Sequence, residues 1–260
     1  MTLRETTRKA IALLEKKSGY IVHVREDPSL PVISNIVTAR GNLPAHIITY
    51  NPGLKNESPD YAIIFQCAMS VRMFECPPDD RKVITGSPEG SQALRSIFTK
   101  PNGVAKNFNL SDAKLEEFTN QILMGLITHL RSIPLSLRVS EKLSIDYPEL
   151  LELEVKQAER ELQINKKSLS DETRAVMPKE VFDLTHIINA AFALFWADRL
   201  EQPTIANPYL LAGFETQGKQ LLKIFSEIPS DPINDCDLID SWADYLQIRT
   251  WYQWITYESP

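Results

Sequence analysis

The chain has 260 residues, of which 43% are hydrophobic, 24% charged and 8% aromatic, a composition typical of a soluble globular protein. Its formal net charge of −6 excludes a global positive field that would recruit nucleic acid or an anionic membrane. Nine glycines against 17 prolines favour helices that stop at prolines over long flexible loops.

The first 75 or so residues predict a helix, a small sheet and a second, buried helix. Charged and apolar side chains recur at helical spacing over residues 5–17, and Gly19 ends this pattern. Three short β-branched stretches follow, at residues 21–24, 32–38 and 46–50. The sequence Ser58-Pro59-Asp60 has the cap, the first-turn proline and the first-turn acid of a helix start. Residues 61–74 are apolar on nearly every side, so we expect this helix to be buried.

The chain beyond Ser111 predicts helices almost throughout. Apolar residues at three- and four-residue spacing indicate a long helix that stops near Pro134. Asp146 and Glu149 resemble a capping box that opens a second long helix. Further helices are expected at residues 181–200, 215–225 and 235–246. We therefore predict an α+β fold, mostly α, with an N-terminal unit (1–85), a connecting segment (86–110) and a helical part (111–260).

A known family matches the pattern of the third strand and the buried helix. Residues 48–52 read Ile-x-x-Asn-Pro, and Asp60-Tyr61 opens the apolar helix. Over about residues 1–85 this arrangement resembles the small zincin peptidases of the IrrE N-terminal-like, minigluzincin-like family. In zincins the helix carries His-Glu-x-x-His, in which two histidines bind zinc and the glutamate is the general base. The resemblance implies a zincin-like α+β unit.

The residues at the motif positions depart from the family. Alignment on the helix places Phe65 at the first histidine, Gln66 at the glutamate and Met69 at the second histidine. Phenylalanine does not bind zinc, and the methionine thioether is too soft to replace an imidazole. Glutamine does not accept a proton as a carboxylate does. The resemblance therefore implies a degenerate member with no catalytic residues, no metal and no cofactor: a pseudo-peptidase that serves as a protein-binding or regulatory subunit.

We expect a partner to bind at the former active-site cleft. An edge-type strand at His46–Asn51 could pair with an extended peptide. The aromatic tail that contains Trp251, Tyr252 and Trp254 could line the same groove, or could instead close the helical part as a hydrophobic clamp. Two alternatives remain: an active hydrolase with an unconventional metal site that includes His46 and His186, and a helical adaptor protein unrelated to zincins.

The sequence also predicts the compartment and the class of partner. Three cysteines are too few for a disulfide framework, and Met1–Glu5 lack the apolar stretch of a signal peptide, so we expect a reducing cytoplasm. No run reaches the ~18–20 apolar residues of a transmembrane helix. The expected partner is a protein, rather than nucleic acid or a membrane. Relatives in the resembled family imply a bacterial role in stress response or in phage and mobile-element defence.

Overall fold

A computed structural model describes residues 3–52, 59–100 and 111–258. The chain divides into two compact units. The first comprises Met1–Val83, Arg138–Gln157 and Thr256–Pro260, and the second comprises Ile84–Leu137 and Ala158–Ile255. Helices account for most of the described residues and a small sheet lies near the N-terminus, which confirms the predicted α+β, mostly α, class.

The N-terminal elements of the first unit follow the predicted order. They are α1 (Glu5–Ser18), β1 (Val22–Glu26), β2 (Ser34–Val37), β3 (His46–Tyr50) and α2 (Asp60–Glu75). Gly19 ends α1 in the left-handed conformation, with φ of 81°, and its N–H donates to Glu15 O at 2.8 Å. The prediction that Gly19 stops this helix is therefore confirmed.

The three strands form one sheet in the order β1-β3-β2, with β1 parallel and β2 antiparallel to β3. His46, Ile48 and Tyr50 alternate along β3 and are all buried. Ile48 and Tyr50 belong to one hydrophobic core with buried residues of both helices. The core also includes Ala10, Leu14, Ile63, Ile64, Cys67, Val71, Phe74, Val139 and Leu143.

The start of α2 differs from the predicted cap. Ser58 lies outside the described residues, and Pro59 precedes the helix rather than occupying its first position. Asp60 does lie in the first turn, where it accepts a hydrogen bond from the backbone N–H of Arg4 at 3.1 Å and another from the Thr7 hydroxyl. Its carboxylate therefore binds the start of α1 and also interacts favourably with the positive end of the α2 dipole.

The remaining elements run through or into the second unit. They are β4 (Lys82–Gly86), α3 (Pro88–Thr99), α4 (Asp112–Asp146), α5 (Leu151–Lys167), α6 (Asp171–Val176), α7 (Lys179–Arg199), α8 (Asn207–Leu211), α9 (Glu215–Glu227), α10 (Asp235–Tyr245) and β5 (Tyr252–Thr256). The two strands β4 and β5 pair as a second sheet. Part of the predicted connecting segment thus forms α3, and residues 101–110 lie outside the described residues.

The predicted stop near Pro134 is wrong, because α4 continues through this proline to Asp146. A proline inside a helix costs about 3 kcal/mol. Its neighbours Ile133, Leu135 and Leu137 are each at most 4% exposed, so their burial offsets that cost. Arg138–Gln157, which were predicted from the sequence to lie in the helical part, belong to the first unit.

Candidate functional site

The three motif positions of the resemblance lie on α2, in the first unit. Phe65, Gln66 and Met69 are all partly buried. Phe65 and Met69 pack against the hydrophobic core, and the Phe65 ring lies 6.1 Å from that of Tyr61. These two side chains therefore contribute to the packing of α2 at the positions where the family carries metal ligands.

Gln66 makes a specific polar contact with the sheet. Its Nε2 donates to the backbone oxygen of Ser34 at 3.2 Å and lies 3.1 Å from the Ser34 hydroxyl oxygen. The Ser34 hydroxyl in turn donates to Ala62 O on α2 at 3.4 Å. An amide can donate in this way, whereas an ionised carboxylate cannot. Gln66, which the resemblance aligns with the general base, therefore joins α2 to β2.

The backbone contact of Gln66 falls on the outer edge of the sheet. Asn51 N–H donates to Ile33 O at 3.0 Å, so these two residues form a hydrogen-bonded pair of the ladder. Along an antiparallel ladder, hydrogen-bonded pairs alternate with pairs whose backbone groups point away from the partner strand. Asn35 and Val37 therefore face β3 with their backbone groups, whereas Ser34 and Ile36 present theirs at the other edge of β2. We call this the open edge, because no described strand pairs with it.

The expectation that His46–Asn51 form an edge-type strand is wrong. This strand is β3, which lies in the centre of the sheet with β1 and β2 on its two sides. Because both of its ladders are occupied, it has no open edge for an extended peptide. The sequence patterns of single strands do not encode their order, so this error had no local signal to correct it.

His46 is fully buried, with no exposed surface, and does not line a surface groove. Its Nδ1 accepts a hydrogen bond from Ala39 N–H at 3.0 Å, so the hydrogen of the neutral ring is on Nε2. Its ring lies edge-on to Tyr20 and Phe74, with centroids 6.0 and 5.3 Å away. Burial lowers the pKa of His46, although the Glu15 carboxylate partly opposes this shift. His46 is therefore a packing residue of the core.

Asn51 holds a neighbouring loop. Its Nδ2 donates to Leu30 O at 2.7 Å and to Pro28 O at 3.3 Å. With its backbone N–H bonded to Ile33, this side chain ties the segment between β1 and β2 to the end of β3. Asn51 therefore has a structural role in the first unit.

The aromatic tail residues Trp251, Tyr252 and Trp254 belong to the second unit, whereas His46 and Asn51 belong to the first. Asp240 of α10 accepts hydrogen bonds from Tyr252 Oη at 2.5 Å and Trp254 Nε1 at 2.8 Å. The backbone of the tail is held as well, because Ser87 N–H donates to Trp251 O at 3.0 Å. These hydrogen bonds hold the tail within the second unit.

The described residues contain no group of three or more His, Cys, Asp or Glu side chains that could hold a metal ion. His46 and His186, the histidines of the alternative hydrolase site, lie in different units. Burial raises the pKa of the Cys67 thiol to about 12, so this cysteine is not a nucleophile at neutral pH.

Two groups of polar side chains escaped the sequence reasoning, and both lie in the second unit. One is Asp240 with its three donors, and the other contains Glu161 and Asn165 of α5 with His186 and Tyr209. The sequence does contain a signal for the second group. Glu161 and Asn165 are four residues apart, so they share a helix face. They also lie next to Ala158 and Leu162, which point inward, so a buried polar pair could have been predicted.

The helix α4 is long and apolar enough to cross a membrane by length and composition. However, 56% of its most apolar window is buried inside the protein, as in the core helix of a soluble protein. This helix is therefore weak evidence for a membrane span.

Comparison with known proteins finds no relative of this chain. Neither a family model, nor a curated protein, nor a solved structure matches the chain.

Proposed function

We propose that this chain is a non-catalytic, zincin-like pseudo-peptidase that acts in a bacterial cytoplasm as a protein-binding or regulatory subunit. The observation that carries the proposal is the pair of contacts from Gln66 Nε2 to Ser34. They use the general-base position of the motif as a structural link between α2 and β2. The packing of Phe65 and Met69 into the core supports the same conclusion for the two ligand positions.

The open edge of β2 is the binding surface that this proposal favours. An extended peptide can add a strand to an unpaired sheet edge through backbone hydrogen bonds. The sequence of β2, Ser34–Val37, contains no charged residue, whereas β1 carries Arg25 and Glu26 at the other edge. Charges protect a strand edge from pairing, so β2 is the edge better suited to a partner. Because Gln66 occupies the carbonyl of Ser34, the partner strand pairs with the backbone of Ile36.

The first experiment measures metal in the purified full-length protein. We expect well under one zinc per chain by mass spectrometry after dialysis against zinc-containing and then zinc-free buffer. A tightly held, stoichiometric metal would overturn the proposal. The triple variant Phe65→His/Gln66→Glu/Met69→His rebuilds the motif, and we expect it to bind zinc more tightly than wild type. The double variant Phe65→His/Gln66→Glu supplies one imidazole instead of two and is its matched control.

The second experiment tests the binding edge. A photo-crosslinking amino acid at the exposed Val37 of β2 should capture a discrete protein in bacterial cells, whereas the same group at exposed Leu13 of α1 should not. We expect Ile36→Pro, once circular dichroism has shown it to be folded, to abolish the capture, since it removes an N–H from the edge that faces away from β3. The fold check is needed because the Ile36 side chain also packs against the core. Equal capture from both positions, or capture that survives Ile36→Pro, would contradict binding at this edge.

A further inference from the structure

Four polar side chains of the second unit lie on α5 and on two helices near its C-terminal end. Glu161 and Asn165 lie four residues apart on one face of this helix, and Ser168 follows almost one turn later. The ring of His186 on α7 joins them, with its Nε2 3.1 Å from Ser168 O. Tyr209 of α8 lies beside it, with ring centroids 6.4 Å apart. We name Glu161, Asn165, His186 and Tyr209 the polar cluster.

Three atoms of the polar cluster are buried and have no hydrogen-bond partner in the part of the chain that the structure describes. These atoms are Asn165 Nδ2, His186 Nδ1 and Tyr209 Oη. His186 and Tyr209 are each 1% exposed. A buried polar atom without a partner is costly, and most such atoms in proteins are satisfied. Three of them in one cluster therefore point to a molecule that completes their hydrogen bonds.

The protonation states define what such a molecule must offer. A carbonyl oxygen accepts, so His186 Nε2 carries the hydrogen and Nδ1 presents a lone pair. Burial lowers the pKa of His186 to about 4, so the ring is neutral at pH 7. Burial, together with the nearby Glu161 carboxyl group, raises the pKa of Tyr209, which therefore stays protonated. Burial also raises the pKa of Glu161 to about 7, so its carboxylate is available at and above neutral pH.

We propose that the polar cluster binds a small ligand that carries a primary ammonium group next to a hydrogen-bond acceptor. A primary ammonium group has three N–H donors, and the cluster offers three acceptors: Glu161, His186 Nδ1 and Tyr209 Oη. Asn165 Nδ2 is a donor, so it pairs with the acceptor that lies beside the ammonium group. The negative charge of Glu161 also disfavours an anionic ligand.

Aromatic rings next to the cluster support a cationic ligand. The rings of Phe182 and Phe214 lie 4.2 and 5.9 Å from that of His186. Aromatic faces attract cations through the electrostatic field of their rings. The guanidinium of Arg174 lies 4.9 Å from the centroid of Phe182 and already occupies that ring. The ring of Phe214 is therefore the one that faces the ammonium group of a ligand.

Ethanolamine is the probe for this proposal, because it carries an ammonium group beside a hydroxyl. Calorimetric titration of the full chain near pH 8 would compare it with ethylene glycol, which is neutral, and with glycolate, which is an anion. The test variants are Glu161→Gln and Tyr209→Phe. The matched control is Glu159→Gln, a change of the same kind at an exposed position of α5. Circular dichroism would establish that each variant is folded.

We expect wild type and Glu159→Gln to bind ethanolamine alike. Glu161→Gln should weaken binding by about tenfold or more, since it removes a charged hydrogen bond. Tyr209→Phe removes an acceptor that has no partner among the described residues, so it should weaken binding by several-fold while leaving the protein folded. It keeps the proposal testable even if Glu161→Gln does not fold. Equal binding of ethylene glycol or glycolate, unchanged affinity in Tyr209→Phe, or a crystal soaked in ethanolamine that shows only water at the cluster would each overturn the proposal.

Discussion

The amide of Gln66 on α2 donates a hydrogen bond to the backbone oxygen of Ser34, at the open edge of β2. The variant Gln66→Glu supplies the residue that an active zincin requires, but an ionised carboxylate repels that oxygen instead of donating to it. We therefore expect Gln66→Glu to lower the free energy of unfolding by about 1–2 kcal/mol at neutral pH. Urea unfolding measures the change.

The exposed Gln92 of α3 gives a control for this substitution. Gln92→Glu introduces the same charge on a helix without a described partner in the sheet, so its effect should stay within about 0.5 kcal/mol. If the two variants unfold at the same urea concentration, the contact between Gln66 and Ser34 does not hold α2 to the sheet.

The buried ring of His46 makes the stability of the protein depend on pH. Its folded-state pKa lies below the ordinary value of 6.5, so the unfolded chain binds the proton more readily. The contribution of His46 is therefore complete above about pH 6.5 and is lost as the pH falls toward the folded-state pKa. Burial lowers the pKa values of His129 and His186 to about 4, which acts in the same direction. Burial raises the pKa of Glu161 to about 7, which opposes this trend because the folded protein binds that proton more readily than the unfolded chain. With three histidines against one carboxyl group, we expect a net fall in the free energy of unfolding from about pH 7 to pH 4.5.

Replacing His46 measures how much of the pH dependence of stability comes from this residue. His46→Asn keeps an acceptor for Ala39 N–H but does not titrate, so it should flatten the stability–pH curve while lowering stability at pH 7 through lost packing. His23 is exposed on β1, and His23→Asn should leave the slope as in wild type. A slope that His46→Asn does not alter would assign the acid sensitivity to the other two buried histidines.

Local patterns in the sequence predict much of this fold because local physics decides it. The turn at Gly19, the strand at His46–Tyr50 and the helices near residues 61–74 and 215–225 all lie where spacing and end signals place them. Pro134 is different, since burial of its neighbours outweighs a local penalty and the helix continues. The position of β3 in the sheet also escaped prediction, because strand order depends on pairing between distant residues.

The candidate sites also combine features that are visible in the local sequence with features that depend on distant contacts. The identities of Phe65, Gln66 and Met69 are visible in the sequence, but the partner of Gln66 lies 32 residues away. Asp240 gathers donors 9 to 14 residues away, and the polar cluster joins residues from three helices. Only the pair Glu161 and Asn165 on one helix face has a periodic signature. The meeting of residues from different elements has none, so it appears only when the chain is folded.

Asp240 holds the C-terminal aromatic segment of the second unit through three side chains. Its carboxylate accepts from Arg249 Nη2 and Trp254 Nε1, each at 2.8 Å, and from the Tyr252 hydroxyl. Hydrogen bonds to charged groups contribute about 1.5–3 kcal/mol, so Asp240→Asn should lower the free energy of unfolding by about that amount. Tryptophan fluorescence should also show a more solvated indole. Asp237→Asn, at an exposed first-turn position of the same helix, should cost at most about 0.3–1 kcal/mol through the helix dipole and should leave the fluorescence unchanged. Identical behaviour of the two variants would show that Asp240 does not anchor the segment.

Gly90 and Gly125 provide a matched pair, because both lie inside helices of the second unit. A Cβ at Gly90 would lie 2.7 Å from Trp251 Cα and 2.9 Å from its carbonyl carbon, closer than real Cβ atoms approach. A Cβ at Gly125 would meet no atom of the described residues within 4 Å. Alanine ordinarily stabilises a helix over glycine by about 0.5–1 kcal/mol, so Gly125→Ala should raise the melting temperature.

Gly90→Ala should lower the melting temperature despite the same helix preference, because the backbone of the C-terminal segment must move away from α3. We expect a net loss of about 1–3 kcal/mol, the usual cost of inserting a carbon into a packed site. Protease digestion would locate the effect, since the displaced segment after Ile248 should be cleaved sooner in Gly90→Ala than in wild type. If both alanine variants are stabilised, α3 and the backbone at Trp251 do not approach as closely as the structure has them.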